Sequence, residues 1–246
     1  LQWLHSGRAD LLDDIHQRLE FFRDNEGYYN MVLADAAGRI HVSLVPRVTQ
    51  VEPEEQRLIN QVFSRKTEVL GDFFHCRNCN RMHISVAAPV FDGPEVGLVL
   101  LLVADPNRDL YPLIASWPIP HGNGESILLR REGNEVVALH QLRHLALPPL
   151  TFRQPLTTAN VLSQAAAGKN GTLRGLDYRG VEVLADAQAI ADTPWVMVTK
   201  IDFAEITTTA RLRTLVLLAL LLMAMGIAGT LVRLIGMVRH KKLSEA

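Results

Sequence analysis

The sequence predicts an α+β protein with two consecutive antiparallel-sheet modules, a long N-terminal helix before them and a membrane-spanning helix after them. Three observations carry this prediction. Strand-and-turn patterns recur at offsets of 96 to 100 residues. An amphipathic helix opens the chain. An uncharged run, LVLLALLLMAMGIAGTLV (215–232), stands near its end.

Residues 1–27 form the N-terminal helix. Leu4, Leu11, Ile15, Leu19 and Phe22 recur mostly every three or four residues, and Asn25 and Gly27 supply the stop. A hairpin follows, with Tyr29–Asp35 and Arg39–Val45 flanking Ala36-Ala37-Gly38. Pro53–Lys66 reads as a helix because Leu58, Ile59, Val62 and Phe63 share a face. His83–Phe91 and Val96–Ala104 read as strands around Asp92-Gly93-Pro94. Asp105-Pro106-Asn107 ends the second strand and starts a helix through Leu110–Trp117. The break at Trp117–Gly122 separates a first module, 28–117, from a second, 118–210.

The second module repeats the plan. Ser126–Arg131 and Glu135–His140 flank Glu132-Gly133-Asn134, and Thr158–Ala167 is a short helix. Leu173–Tyr178, Val181–Ile190 and Trp195–Ile201 are strands, the last two joined through Asp192-Thr193-Pro194. The final strands of the two halves end in Asp105 and Asp202. The expected sheet has five or six antiparallel strands with helices on one or both faces, curled around a small apolar cavity suited to a small ligand.

An 18-residue helix spans about 27 Å, close to the hydrocarbon core of a bilayer. Arg233, Arg239, Lys241 and Lys242 follow the run, against Arg211 and Arg213 before it. The positive-inside rule therefore predicts a span over 214–238, a cytoplasmic stub at 239–246, and residues 1–213 on the periplasmic or extracellular side of the inner (plasma) membrane. An outside domain must be exported, so a leader or first membrane helix is expected upstream of Leu1 and an effector beyond Ala246. Ala224 and Ala228 allow close helix packing, and a homodimer is expected.

Residues 1–213 hold 21 Lys and Arg against 25 Asp and Glu, a formal −4 with no basic stripe, which excludes nucleic acid as the expected partner. No nucleophile–base pair, phosphate loop or paired carboxylates appear, so no enzymatic activity is expected within these residues. The only cysteines, Cys76 and Cys79, lie in HCRNCNRMH (75–83). Their spacing with His83 suits a tetrahedral metal such as zinc, with His75 a further ligand; outside the cytoplasm the same pair also suits a local disulfide or redox switch. Alternation along His83–Phe91 puts Ser85 on the face of His83, and that more polar face is the expected ligand wall. Tyr29 is a second wall candidate. Asp105 suits a ligand cation or a helix N-cap. Arg174, Asp177, Tyr178 and Arg179 read as an anion site or a solvated turn.

Four stretches, Leu110–Trp117 (LYPLIASW), Glu125–Leu142 (ESILLRREGNEVVALHQL), Asp177–Leu184 (DYRGVEVL) and Thr193–Asp202 (TPWVMVTKID), together with the element order, resemble the double Cache sensor domain of bacterial and archaeal transmembrane receptors of histidine kinase or diguanylate cyclase type. The resemblance implies two tandem PAS-like modules. The membrane-distal one holds a small-molecule ligand, and the membrane-proximal one relays the change to a membrane helix. Residues 60–83 depart from the aromatic–Arg–Trp-Tyr pattern of the amino-acid-binding subgroup. The alternative expectation is a membrane-anchored metal-binding or redox-sensing protein built on Cys76, Cys79 and His83.

Overall fold

The computed structural model describes residues 9–46, 48–77, 79–116, 123–157 and 159–244. The expected module boundary at 117–122 and the first eight residues of the expected N-terminal helix lie outside the described residues. Helix α1 (Ala9–Glu26) stops at Gly27, whose φ of 77° and N–H bond to the Arg23 carbonyl (2.8 Å) close the last turn.

The distal module contains β1 (Asn30–Ala34), β2 (Ile40–Ser43), α2 (Pro53–Arg65), β3 (Val69–Leu70), β4 (Phe74–Cys76), β5 (Arg81–Asp92), β6 (Glu95–Ala104) and α3 (Leu110–Ser116). The proximal module contains β7 (Glu125–Glu132), β8 (Glu135–Ala138), β9 (Arg153–Pro155), α4 (Val161–Ala166), β10 (Gly171–Leu176), β11 (Glu182–Ala189) and β12 (Trp195–Asp202). Helix α5 (Phe203–Ser244) continues from β12 without a loop.

Both sheets are antiparallel and follow one plan. The distal order is β2-β1-β6-β5-β3, with β4 also paired to β5; the proximal order is β10-β11-β12-β7-β8-β9. In each, the first strand sits between the second and the last, and the penultimate strand lies beyond the last. The duplication expected from the sequence is therefore a duplication of topology. β3, β4 and β9, of two or three residues, were not expected from the sequence.

One face of the distal sheet carries Val32, Ala34, Ala87, Val99, Leu101 and Val103, which pack against Leu58, Ile59 and Val62 of α2. The start of α2 is pinned by a buried acid. Glu55 accepts the Glu52 N–H (3.0 Å) and the Ser85 hydroxyl on β5 (3.3 Å), so the first turn is tied to the sheet. In the proximal sheet both faces of β7 are buried. Ile127 and Leu129 join the core under α4, while Leu128 joins a second cluster with Phe73, Met82, Ile114, Leu139 and Trp195. That second cluster joins the modules. The Trp195 indole N–H donates to Asp72 (2.8 Å), Arg130 pairs with the same carboxylate (2.6 Å), and the Tyr111 hydroxyl donates to the Leu139 carbonyl (2.7 Å).

The cluster expected at Arg174–Arg179 is not a solvated turn. Lys200 of β12 is fully buried, 3.0 Å from Glu125 and 2.8 Å from Asp177. Asp177 also pairs with Arg179 (2.7 Å), and Arg179 pairs with Asp202. Both cations of this set, Lys200 and Arg179, are taken up by three carboxylates, which accounts for charges inside an apolar core and leaves neither cation for an anion. Arg174 lies 3.8 Å over the ring of Phe203, the first residue of α5.

The apolar side chains of 215–230 project from α5 as exposed groups, for example Leu215, Leu222 and Met225 at 64%, 68% and 69%. Among the described residues, no helix is long and apolar enough to cross a membrane.

Two stability changes of opposite pH dependence follow. Burial opposes ionisation of Asp177, but the ion pair with Lys200 and the hydrogen bonds from Arg179 outweigh it and hold its carboxyl below the usual range. Its contribution is present above the unfolded pKa and lost as pH falls through the folded one. Asp177→Asn lowers unfolding free energy at pH 7 by about 3–5 kcal/mol in urea titrations, and the deficit shrinks below about pH 4. A deficit independent of pH contradicts the ion-pair account. Burial instead raises the Glu55 carboxyl. Its stabilising form is the protonated one, present below the unfolded pKa and lost as pH rises through the folded pKa. The stability gap between Glu55→Gln and the parent therefore shifts in the variant's favour as pH rises from about 4 to 7. A shift in the opposite direction contradicts it.

Candidate functional site

The site forms where the apolar face of the distal sheet turns polar. In the β1–β6–β5 ladder, Asn30 pairs with Val103, which pairs with Ser85. These residues continue the row that carries Val32, Leu101 and Ala87. Two positions beyond Ser85 on the same face stands His83, 4% exposed. β4 pairs with β5 through Phe74–His83 and Cys76–Arg81, which sets Cys76 diagonally beside His83 on one face. The turn after β4 then curls back. Asn80 takes a left-handed conformation (φ 54°), its N–H donates to the Cys76 carbonyl (3.0 Å), and the Cys79 N–H donates to Cys76 Sγ (3.2 Å). Cys79 Sγ comes within 3.4 Å of His83 Nε2.

The ligand atoms of Cys76, Cys79 and His83 all lie within 4.8 Å of one another. Both cysteines are free thiols. The Tyr29 ring lies tilted at 42° against the His83 imidazole, with ring centroids 4.8 Å apart. Helix α2 closes the other side with Glu52 and Glu55, 6% and 5% exposed. Glu52 Oε1 accepts the Arg77 N–H (3.2 Å), and its carboxylate also bonds to Cys76. A cavity of about 20 Å³ adjoins Cys76 and His83 and is lined also by Tyr29, Asn30, Glu52 and Glu55 among others; Cys79 lies outside its lining.

Electrostatics make this a low-charge pocket. Burial pushes the Cys76 thiol up to about 12, reinforced by its bond with Cys79. Burial pulls the His83 imidazole down, so the ring is neutral near pH 7. Two soft sulfur donors and one neutral imidazole therefore converge within 4.8 Å of one another.

The residues singled out from the sequence meet only in part. Tyr29, Cys76, Cys79 and His83 come together, and the face predicted to be polar is polar. Ser85 lies behind Glu55 and bonds to it. His75 faces away, toward the cleft between the modules. Asp105 neither lines the cavity nor caps a helix, because α3 begins at Leu110. Burial opposes its ionisation, but bonds from Asn107 (2.9 and 2.8 Å) and Arg81 (3.3 Å) hold its carboxyl low. Through that bond it holds Arg81, whose guanidinium lies 5.5 Å from the Tyr29 ring.

Glu52 and Glu55 were missed. Their signal was the Glu-Pro-Glu-Glu start of a helix, which reads equally well as a solvated first turn. A larger cleft of about 620 Å³ lies between the modules, lined by Arg57, Asp72, His75, Arg130, Arg131 and Glu132 among others. Much of its charge is internally paired, Arg130 with Asp72 and Glu132, and Glu132 with Arg153.

No family model matches the chain, and no curated protein matches it in sequence. Solved structures do match its fold. The extracellular domain of rpHK1S-Z16, described as a histidine kinase, superposes with a TM-score of 0.54 at 14% identity, covering 82% of this chain and 88% of that one. The ligand-binding domain of the Pseudomonas aeruginosa PAO1 amino-acid chemoreceptor PctB, in complex with L-Arg, gives 0.53 at 12% identity, covering 76% and 71%. An extracellular ligand-binding receptor from Desulfohalobium retbaense gives 0.51 at 18% identity; 73% of this chain spans only 31% of that chain. The fold is that of the extracellular, Cache-like ligand-binding domains of chemoreceptors and histidine kinases.

Proposed function

We propose that this chain is the extracytoplasmic ligand-sensing region of a transmembrane signal-transduction receptor. A small molecule binds in the distal module. The proximal module relays the change to α5, which spans the inner membrane over 214–238 around its uncharged run 215–232, and a homodimer hands it to a cytoplasmic output such as a histidine kinase, diguanylate cyclase or chemoreceptor. The observation that carries this reading is the polar pocket beneath α2, set in a tandem fold whose last strand runs directly into the apolar helix.

The relay has a physical route. Asp72 and Phe73 immediately precede β4, which forms one wall of the pocket. They contact Trp195 at the start of β12, with ring centroids of Phe73 and Trp195 4.9 Å apart. β12 ends at Asp202, held by Arg179, and α5 begins at the next residue. Only a few kcal/mol of differential affinity between two arrangements of this path is needed for a signal.

Two measurements test the reading. The full chain expressed in bacteria stays in the membrane pellet through alkaline carbonate washing, while a chain shortened after Asp202 does not. In detergent micelles, a panel of amino acids, dicarboxylates and divalent metal ions contains at least one compound that raises the melting temperature of the full chain, and the rise is lost in Tyr29→Ala. Release of the full chain by carbonate contradicts the membrane assignment. A rise undiminished by Tyr29→Ala contradicts a ligand in the distal module.

A further inference from the structure

We infer that the occupant of the distal pocket is a single thiophilic divalent cation of the zinc class, held by Cys76 Sγ, Cys79 Sγ and His83 Nε2. Only its signalling consequence rests on the ligand-sensing reading above; the binding itself does not.

Size is the first argument. The cavity that adjoins Cys76 and His83 is about 20 Å³, close to the space of one water molecule and far below the few hundred Å³ that an organic ligand occupies. The guest that fits this geometry is atomic. Donor chemistry is the second. Two sulfurs and an imidazole nitrogen within 4.8 Å of one another form the donor set of a borderline-soft, tetrahedral ion. Hard, oxygen-seeking cations such as calcium or magnesium are disfavoured by the same set.

The third argument is the turn. Left-handed Asn80 and the Cys79 N–H···Sγ bond fold Cys-x-x-Cys so that both sulfurs face one point, and the β4–β5 ladder brings His83 to that point independently of the turn. The Cys79 N–H bond favours the Cys76 thiolate against the larger, opposing effect of burial, so the ion itself must displace the thiol proton. Tyr29, tilted against the His83 ring with centroids 4.8 Å apart, packs on the imidazole. Three protein ligands leave a fourth position open, and Glu52 bonds to one of the three, Cys76, and to the Arg77 N–H.

The same geometry gives the ion an effect. Glu52 sits at the start of α2 and Cys76 at the end of β4. An ion held by Cys76 acts on α2 through the Glu52–Cys76 bond, and Phe73, three residues before Cys76, sits in the contact between the modules.

To test this, the full chain in detergent micelles is kept reduced and titrated with cobalt(II), then with zinc against a chromophoric chelator. The expected result is one ion per chain and a thiolate-to-cobalt charge-transfer band that zinc abolishes. Cys76→Ser/Cys79→Ser removes the band and weakens zinc binding by at least about 100-fold. Because Cys76 is buried, the half-buried Cys79 provides a separate variant: Cys79→Ser weakens zinc about 10- to 100-fold, with the melting of the zinc-free chain unchanged. Unchanged zinc affinity in Cys79→Ser, or a cobalt spectrum without the band, overturns the assignment. A reduced chain that binds neither ion, yet melts higher with an amino acid or dicarboxylate, also overturns it and leaves the ligand-sensing reading intact.

Discussion

Register across β1, β6, β5 and β4 is the constraint on which the site depends. One face of this ladder carries Ala34, Val32, Leu101 and Ala87 under α2, then Asn30, Ser85 and His83 as the same rows continue. A slip of one residue would turn His83 and Ser85 to the opposite face and bring Ile84 and Val86 into the pocket. The apolar half of the row holds the helix in place, and the polar half supplies the chemistry. The two cannot be separated, because the same pairings set both.

The duplicated topology explains the connection from pocket to helix. In each module the last strand is central, flanked by the first and the penultimate. A central last strand touches most of its own module before leaving it. β6 leaves through Asp105 toward α3 and the contact between modules, and β12 leaves through Asp202 into α5. Buried charge marks the second exit. Lys200, Glu125, Asp177, Arg179 and Asp202 form one connected set in which breaking any pair strands a charge in an apolar core. Such a set favours a few discrete arrangements over gradual deformation, as a relay between two states requires.

Long, periodic elements were legible in the sequence, and contacts remote in the chain were not. The β5–β6 hairpin was readable because alternation persists over ten residues and Gly93 marks the turn. β3, β4 and β9 are too short to show a period, so the strand that carries Cys76 was invisible. The Cys76–Cys79–His83 grouping was readable because one turn and one hairpin hold it. The burial of His83 was not, because the lid that covers it, α2, lies some twenty to thirty residues upstream. Lys200 offered a signal in hindsight: it shares a face with the buried Val198 in an otherwise apolar strand, so its charge had to find partners inside. Asp105 was misplaced because a helix start was expected at once, whereas an Asn107-closed turn precedes α3.

The central claim is that the distal pocket gathers two thiolates and an imidazole around one ion. Zinc K-edge absorption of the reduced full chain, loaded with one equivalent of zinc, tests it most directly. The account predicts two sulfur neighbours near about 2.3 Å and at least one imidazole nitrogen near about 2.0 Å, completing a four-coordinate shell. A shell of nitrogen and oxygen alone, with no sulfur, would contradict it.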